Sequence, residues 1–210
     1  MAEDIGVSFR RIRRFLIERQ KLFIVVRDIS PVVFSQPENP TIQCSVFETV
    51  DALMTLRGEF SGFSRDSIAD LKQRIKQGCV VFVFQKFDPG GQGSRSIAYS
   101  ISQPGVFSAF GATRKISNDV LFGHYFEILP EYRGRGLKAH LDSLREHYCR
   151  LHGLRKICGV VPSHHSVSLK ANVKSGFRLA GNVTRIVILK RFVVWQTAWK
   201  TIEKVLNAAA

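Results

Sequence analysis

Acidic residues are scarce in this chain. Asp and Glu total 17 against 31 Lys and Arg in 210 residues, a formal charge of +14. A field of that sign favours polyanionic partners: nucleotides, nucleic acid, anionic lipid headgroups or acidic proteins. It does not bear on fold. Paired cysteines are missing too. Cys44, Cys79, Cys149 and Cys158 include no CxxC pair, and no histidine cluster accompanies them. No metal site is therefore expected, and the thiols read as buried or free in a reducing compartment. Long apolar runs are also lacking. Near the basic N-terminus the longest is Leu22-Phe23-Ile24-Val25-Val26. That is shorter than the ~7–15 residues of a leader's apolar region and far short of the ~20 of a membrane span. A cytoplasmic location is the resulting expectation. The chain carries no internal repeat and no low-complexity tract.

What is present suits a folded domain. Hydrophobic residues make up 45% of the chain, and sixteen are Phe. Residues 7–20 follow a roughly helical pattern with Arg10, Arg11, Arg13 and Arg14 interspersed, and the strand-like KLFIVVRD comes next. The prolines of SQPENP mark a linker. Residues 1–40 thus read as a basic extension of helix plus strand, 41–190 as the main domain, and 191–210 as an amphipathic C-terminal helix with Trp195, Trp199, Ile202 and Leu206 on one stripe. Within the main domain, helical spacing marks Ile68, Leu71 and Ile75, and also Leu137, Leu141, Leu144, Tyr148 and Leu151. TIQCSVF, CVVFVFQKF, SRSIAYSISQ, VLFGHYFEIL, KICGVV and FRLAGNVTRIVIL read as strands. HSVSLKANVKSG reads as a short helix. The order predicts an α/β fold on a mostly antiparallel mixed sheet flanked by helices.

The chemically informative segment is Pro130-Glu-Tyr-Arg-Gly-Arg-Gly-Leu137. A strand runs into a glycine-containing turn that opens a long helix. The first helical amides lack intrahelical partners, and the helix dipole adds partial positive charge there. Arg133, Arg135 and Lys138 add full charges, and Gly134 and Gly136 let a bulky anion approach the backbone. Arg133 to Lys138, with Leu137 opening the helix, form a candidate pyrophosphate cradle.

This segment resembles the acetyl-CoA motif Gln/Arg-x-x-Gly-x-Gly/Ala of the Gcn5-related N-acetyltransferase (GNAT) superfamily, with Arg133 and Gly136 matching. Further on, His165-Ser-Val-Ser168-Leu-Lys-Ala-Asn172-Val-Lys174-Ser-Gly176-Phe177 resembles the family's second motif, Asn-x-x-Ser/Ala before a short helix ending in Lys-x-Gly-Phe. The resemblance spans roughly residues 41–190. It implies a sheet splayed at the donor site and an acyl-CoA, such as acetyl-CoA, as acyl donor. The pantetheine would bond to the backbone at Ile128 and Leu129, the pyrophosphate would rest on Arg133 to Lys138, and His165, Ser168 and Asn172 would contribute from the second motif. The partner would be an amine acceptor. There are three departures. Lys138 stands where the family prefers Gly or Ala, and would either crowd the cradle or bend outward and add a cation. Asn172 replaces a Tyr that acts as acid in many members, and an amide cannot take that role. His165 replaces Asn.

An ammonium acceptor must lose a proton before it attacks a thioester. The strand before the turn offers His124 and Glu127. They lie three apart, so a regular strand turns them to opposite faces unless a bulge intervenes. His124 sits nine residues before Arg133, where aralkylamine acetyltransferases of the family carry a catalytic His, and its ordinary pKa suits a base at neutral pH. It is slightly favoured, with Glu127 as the alternative. Two other readings stay open: an acyl donor on an acidic carrier protein, or a GNAT-fold module that binds nucleic acid or an anionic membrane through the basic extension.

Overall fold

The computed structural model describes residues 17–29, 41–56, 59–88, 93–188 and 192–195, together with Lys204 and Leu206. The chain divides into two compact units, Arg27–Gly159 and a second made of residues 1–26 with 160–210.

In the unit Arg27–Gly159 the strands are β2 (Ile42–Phe47), β3 (Val80–Phe87), β4 (Ser94–Pro104), β7 (Val120–Ile128) and the start of β8 (Lys156–Pro162). They lie in the order β8-β7-β4-β3-β2. The β2–β3, β3–β4 and β4–β7 pairs are antiparallel, and β7–β8 is parallel. The stretch between β4 and β7, longer than a simple turn in the sequence, is a small hairpin of β5 (Val106–Ala109) and β6 (Ala112–Lys115).

Helices cover both faces of these strands. α1 (Val50–Met54) and α2 (Ile68–Lys76) put Leu53, Leu71 and Ile75 against Val81, Val83, Tyr99 and Ile101. α2 starts where the sequence supplies a reciprocal cap. Ser67 Oγ accepts from the Asp70 amide, and the Ser67 amide donates to Asp70 Oδ2 at 2.8 Å, which satisfies amides that a helix start leaves without partners. α3 (Leu137–Leu151) lies on the other face. There Tyr148 meets Phe82 at 6.0 Å between ring centroids, and His140 meets Phe84 at 5.3 Å. The apolar stripe of α3 is buried through Tyr148, but Leu151 is 70% exposed. Four polar residues that the stripe leaves out, His140, Asp142, Arg145 and Glu146, are buried.

The second unit holds most of β1 (Ile17–Asp28), with α4 (Ser166–Lys174), β9 (Arg178–Ile188) and β10 (Phe192–Trp195). β1 and β10 pair antiparallel with β9. Two sequence expectations change here. The helical pattern over 7–20 gives way to strand by Ile17, and residues 1–16, with the Arg10–Arg14 cluster, lie outside the described residues. The expected helix over 191–210 opens as a strand instead: Phe192-Val-Val-Trp195 is a β-branched and aromatic run that suits a sheet. Further on, Lys204 and Leu206 are helical and Leu206 is buried; the remainder, Trp199 and Ile202 included, lies outside the described residues. The boundary read at residue 40 also lies outside them. Among the described residues no helix is long and apolar enough to cross a membrane.

Candidate active site

β7 carries the site toward α3. Its pairing with β8 runs from Val120↔Lys156 to Gly123↔Gly159, and β7 then continues to Ile128. The Leu129 amide donates to Ile97 O at 3.0 Å. In an antiparallel pair such bonds alternate along the strand. The amides of Phe126 and Ile128 therefore point to the opposite edge of β7, the one paired with β8 only as far as Gly123.

A single 3-10 turn, Pro130–Tyr132, leads from β7 into the cradle. Gly134 and Gly136 both adopt left-handed backbone, at φ 76° and 77°, a region that costs a side-chain-bearing residue about 1–2 kcal/mol. A Cβ placed on either glycine would meet nothing within 4 Å. The turn therefore faces open space. Gly136 is the N-cap of α3 and offers no side chain to the first-turn amides, so these stay available to an anion. Around the turn, the Arg135 guanidinium lies 5.2 Å from the Tyr132 ring centroid, and Lys86 Nζ lies 5.8 Å from it.

Two cradle side chains behave differently from the expectation. Lys138 neither crowds the turn nor bends outward. Its Nζ folds back one helical turn to pair with the buried carboxylate of Asp142. Burial lowers the Lys138 pKa, and the Asp142 carboxylate partly offsets this. Arg133 is exposed, and its Nε donates to Ile128 O at 3.3 Å. That carbonyl is one of the groups through which the resemblance would bind pantetheine. Leu129 is buried, with its amide spent on β4. The second-motif residues belong to the other unit. His165 is the N-cap of α4 without a side-chain cap bond, and Ser168 is exposed. The Asn172 Nδ2 donates to Ser168 O at 2.8 Å, so this amide serves its own helix.

His124 and Glu127 do not face opposite sides. Ile101 pairs with Tyr125 and Ser102 with Gly123, which leaves His124 as the extra residue of a β-bulge. The bulge turns His124, Tyr125 and Glu127 toward the α1–α2 face. A buried cation holds it. Arg145 donates through Nη2 to Ser100 Oγ at 2.6 Å and through Nε to Ser102 Oγ at 3.1 Å, and Ser100 Oγ donates to Tyr125 O at 2.7 Å. A Cβ on Gly123 would lie 2.9 Å from Arg145 Nη2, so a side chain there would have to displace the Arg145 guanidinium.

The two polar residues then differ in environment. Gln103 Nε2 donates to Gln77 O at 2.8 Å, and this fixes the Gln103 Oε1 as acceptor for the His124 Nε2–H at 3.2 Å. Burial, with Arg74 and Arg145 adding repulsion, lowers the His124 pKa to about 4. Glu127 is fully engaged as a carboxylate. Its Oε1 accepts from the Ser64 amide at 2.8 Å and the Ser64 hydroxyl at 2.7 Å, and its Oε2 lies 3.1 Å from the Tyr99 hydroxyl. Burial pushes its pKa up, but the Ser64 bonds, the Tyr99 hydroxyl and Arg65 outweigh this and hold it below the ordinary glutamate range. The Tyr99 hydroxyl also lies 2.9 Å from Asp66 Oδ2. Rings of Phe60, Phe63 and Tyr125 meet Tyr99 at 5.4, 4.8 and 5.7 Å.

Sequence pattern alone does not single out Ser64, Asp66, Tyr99 or Gln103. Tyr99 carries a weak signal there, a phenol within the apolar Ile97–Ile101 stretch. Ser64 and Asp66 carry none, because their partners, Glu127 and Tyr99, are 63 and 33 residues away. Among the described residues no group of three or more His, Cys, Asp or Glu is placed to hold a metal ion.

No protein-family model matches the chain, and no curated protein matches it. Similarity is found among solved structures. A GCN5-related N-acetyltransferase from Sphaerobacter thermophilus aligns over 88% of this chain and 56% of its own, at 10% identity and a TM-score of 0.54. A tandem GNAT protein from the clavulanic acid biosynthesis pathway, solved without acetyl-CoA, aligns over 88% of this chain and 58% of its own, at 12% identity and a TM-score of 0.50. The chain spans a little over half the length of these proteins. The fold is the GNAT fold, a mixed α/β structure on a mostly antiparallel sheet, as the two sequence motifs imply.

Proposed function

We propose that the protein transfers an acyl group from an acyl-CoA to a primary amine. One observation carries the reading: β7 outruns its pairing with β8 and delivers a left-handed glycine turn, open in front, to the uncapped start of α3. Backbone amides aimed at open space from a helix start fit the pyrophosphate of CoA, and Arg135 and Arg133 add cations around it. The amides of Phe126 and Ile128, on the edge of β7 turned away from β4 and past its last pair with β8, suit the pantetheine arm. The fold adds support, since the two structures compared above are described as GNAT proteins.

Glu127 is the better general base of the two candidates on this strand. Ser64 and Tyr99 position it as a carboxylate, the proton-accepting form, at neutral pH. His124 is a poor choice. Its Nε2–H is committed to the Gln103 Oε1, and its ring packs edge-on against Phe122 at 5.0 Å between centroids. The amine freed by Glu127 attacks the thioester carbon, and the C–S bond breaks as the thiolate leaves. Asn172 cannot protonate that thiolate.

Calorimetry with CoA and acetyl-CoA tests the donor. Acetyl-CoA turnover on a panel of an aralkylamine (tyramine), a polyamine (spermidine), an aminoglycoside (kanamycin) and a lysine peptide tests the reaction. Binding of CoA, lost in a folded Gly136→Val protein, and acetylation of at least one amine are the expected results. Failure to bind CoA, paired with acyl transfer from an acylated carrier protein, would replace the donor. Salt-dependent binding to RNA or anionic vesicles without acyl transfer would replace the reading itself.

A further inference from the structure

Tyr99 has one hydroxyl hydrogen and two carboxylates. Its oxygen stands 2.9 Å from Asp66 Oδ2 and 3.1 Å from Glu127 Oε2, and the residue is completely buried. A phenol can donate to one of these carboxylates at a time. The second contact needs another proton, and a deprotonation by Glu127 supplies one. We propose that Tyr99 and Asp66 form the exit for the proton that Glu127 removes from the acceptor ammonium. The inference rests on the acyl-transfer reading and names residues that act on Glu127.

The steps balance. The ammonium N–H bond breaks and its proton goes to Glu127 Oε2. Oε2 passes that proton to the Tyr99 oxygen while the Tyr99 hydrogen moves to Asp66 Oδ2, so the phenol ends as it began. Burial and the two carboxylates push the Tyr99 pKa far up, so the phenol relays by exchanging hydrogens and does not ionise. The neutral amine attacks the thioester carbon. Its second proton leaves the tetrahedral adduct with the departing thiolate. Asp66 returns the first proton to water.

The surroundings suit the two ends of this path. Glu127 is held as a carboxylate by the two Ser64 donors, so it favours shedding a proton over keeping it. Asp66 is half-buried on the segment leading into α2, next to exposed Arg65 and Ser67, and so reaches solvent. The other groups facing the phenol are few. Phe60 and Phe63 pack edge-on to its ring. The Tyr125 hydroxyl lies 3.5 Å away, and Arg65 stacks over the Tyr125 ring at 5.2 Å. Asp66 and Tyr99 are positioning and relay residues; neither needs to touch the acceptor.

The test uses the full chain, acetyl-CoA and the best-accepted amine of the panel above. Tyr99→Phe keeps the ring packing and removes the shared hydrogen. It should lower kcat by about tenfold, below the usual scale for loss of the base itself, with both KM values within about twofold. The solvent isotope effect, followed through mixtures of light and heavy water, should change from a curved dependence in the wild type to a linear one. Asp66→Asn should do the same, and Asp66→Glu should restore most of the rate. A Tyr99→Phe protein with wild-type kcat and an unchanged isotope dependence overturns the proposal. A second measurement needs no acceptor: the carbon-13 carboxyl signals of Asp66 and Glu127 in the free protein, followed through acid titration. In the wild type the Asp66 signal should respond to the same protonation step as Glu127, and in Tyr99→Phe that shared response should weaken. Independent titrations in the wild type overturn the shared path even if amines are acetylated. Acetylation of no amine overturns the acyl-transfer reading, while the titration still decides whether the three groups share a proton.

Discussion

Glu127 and Arg133 stand six residues apart, yet the regions they belong to are built by different means. The cradle from Arg133 to Leu137 is made of backbone. Its geometry comes from two left-handed glycines and the start of a helix, its residues up to Gly136 are exposed, and its charges are peripheral. The region around His124 and Glu127 is made of side chains. Its geometry comes from a bulge, a buried Arg145 beneath it, and hydrogen bonds from β4 and the segment before α2. The first kind of site tolerates side-chain change but not backbone change. The second is the reverse. Substitutions should therefore separate donor binding from chemistry cleanly.

The largest effect is expected at Glu127. Glu127→Gln removes the base and keeps the shape, so kcat should fall by about a hundredfold or more while CoA affinity measured by calorimetry stays unchanged. Because Ser64 and Tyr99 hold this carboxyl below the ordinary glutamate range, the wild-type rate should persist through mildly acidic pH. It should fall only below that range, as the base becomes protonated. A full rate in Glu127→Gln would dissolve the contrast between the two regions and return the question to His124.

The next effect concerns stability rather than rate. The His124 pKa falls from 6.5 to about 4 on folding, with burial as the main cause. Between those values the unfolded chain binds a proton that the folded chain does not, so stability is complete above pH 6.5 and declines as the pH falls toward 4. Each tenfold change in proton affinity is worth about 1.4 kcal/mol, which makes the whole effect roughly 3 kcal/mol. His124→Gln should flatten this part of the denaturation profile and change kcat little. A stability curve of unchanged steepness in that variant would show that the imidazole is not held neutral by the fold.

These two outcomes bear on what the sequence can reveal. The cradle is legible because its determinants are local: a strand, two glycines and an amphipathic helix follow one another in the chain. The mixed sheet and most helices are legible for the same reason. The acid–base region is not, because its determinants are distant. A period-two reading of VLFGHYFEIL puts His124 and Glu127 on opposite faces. One extra residue, paired to nothing on β4, puts them on the same face, and the cause is an arginine on α3 bonded to two serines on β4. The Arg145 side chain is hidden as well, since an apolar stripe on a helix says nothing about a charge buried beside it. At the other end of the chain, the stripe of Trp195, Trp199, Ile202 and Leu206 suggests a helix throughout, but the β-propensity of Phe192 to Trp195 and pairing with β9 make those four residues a strand.

A smaller effect is expected in the cradle backbone. Gly136→Ala adds only a methyl group, and that methyl would meet no neighbour. Its cost comes from φ 77°, a left-handed conformation worth about 1–2 kcal/mol against any L side chain. CoA affinity should drop by roughly tenfold, with kcat at saturating acetyl-CoA nearly intact. Gly136→Val should do more, because a branched side chain also fills the open space. Equal loss of kcat in Gly136→Ala would mean that the turn and the base are coupled, contrary to the division argued above.

The smallest effect separates the two cradle cations that sequence alone treats as equivalent. Arg135 is exposed at the turn with its guanidinium over Tyr132, while Lys138 turns inward to Asp142. A charge beside an exposed helix start is worth about 0.3–1 kcal/mol at low salt. Arg135→Gln should accordingly weaken CoA binding by roughly two- to fivefold, and the difference should shrink as salt screens the charge. Lys138→Gln keeps a hydrogen-bond donor for Asp142 and removes a cation that does not face the turn. Its CoA affinity should match the wild type at every salt concentration. A salt-sensitive loss in Lys138→Gln equal to that of Arg135→Gln would show that the lysine swings out to meet the phosphates, leaving the Asp142 pair to form only in the free protein.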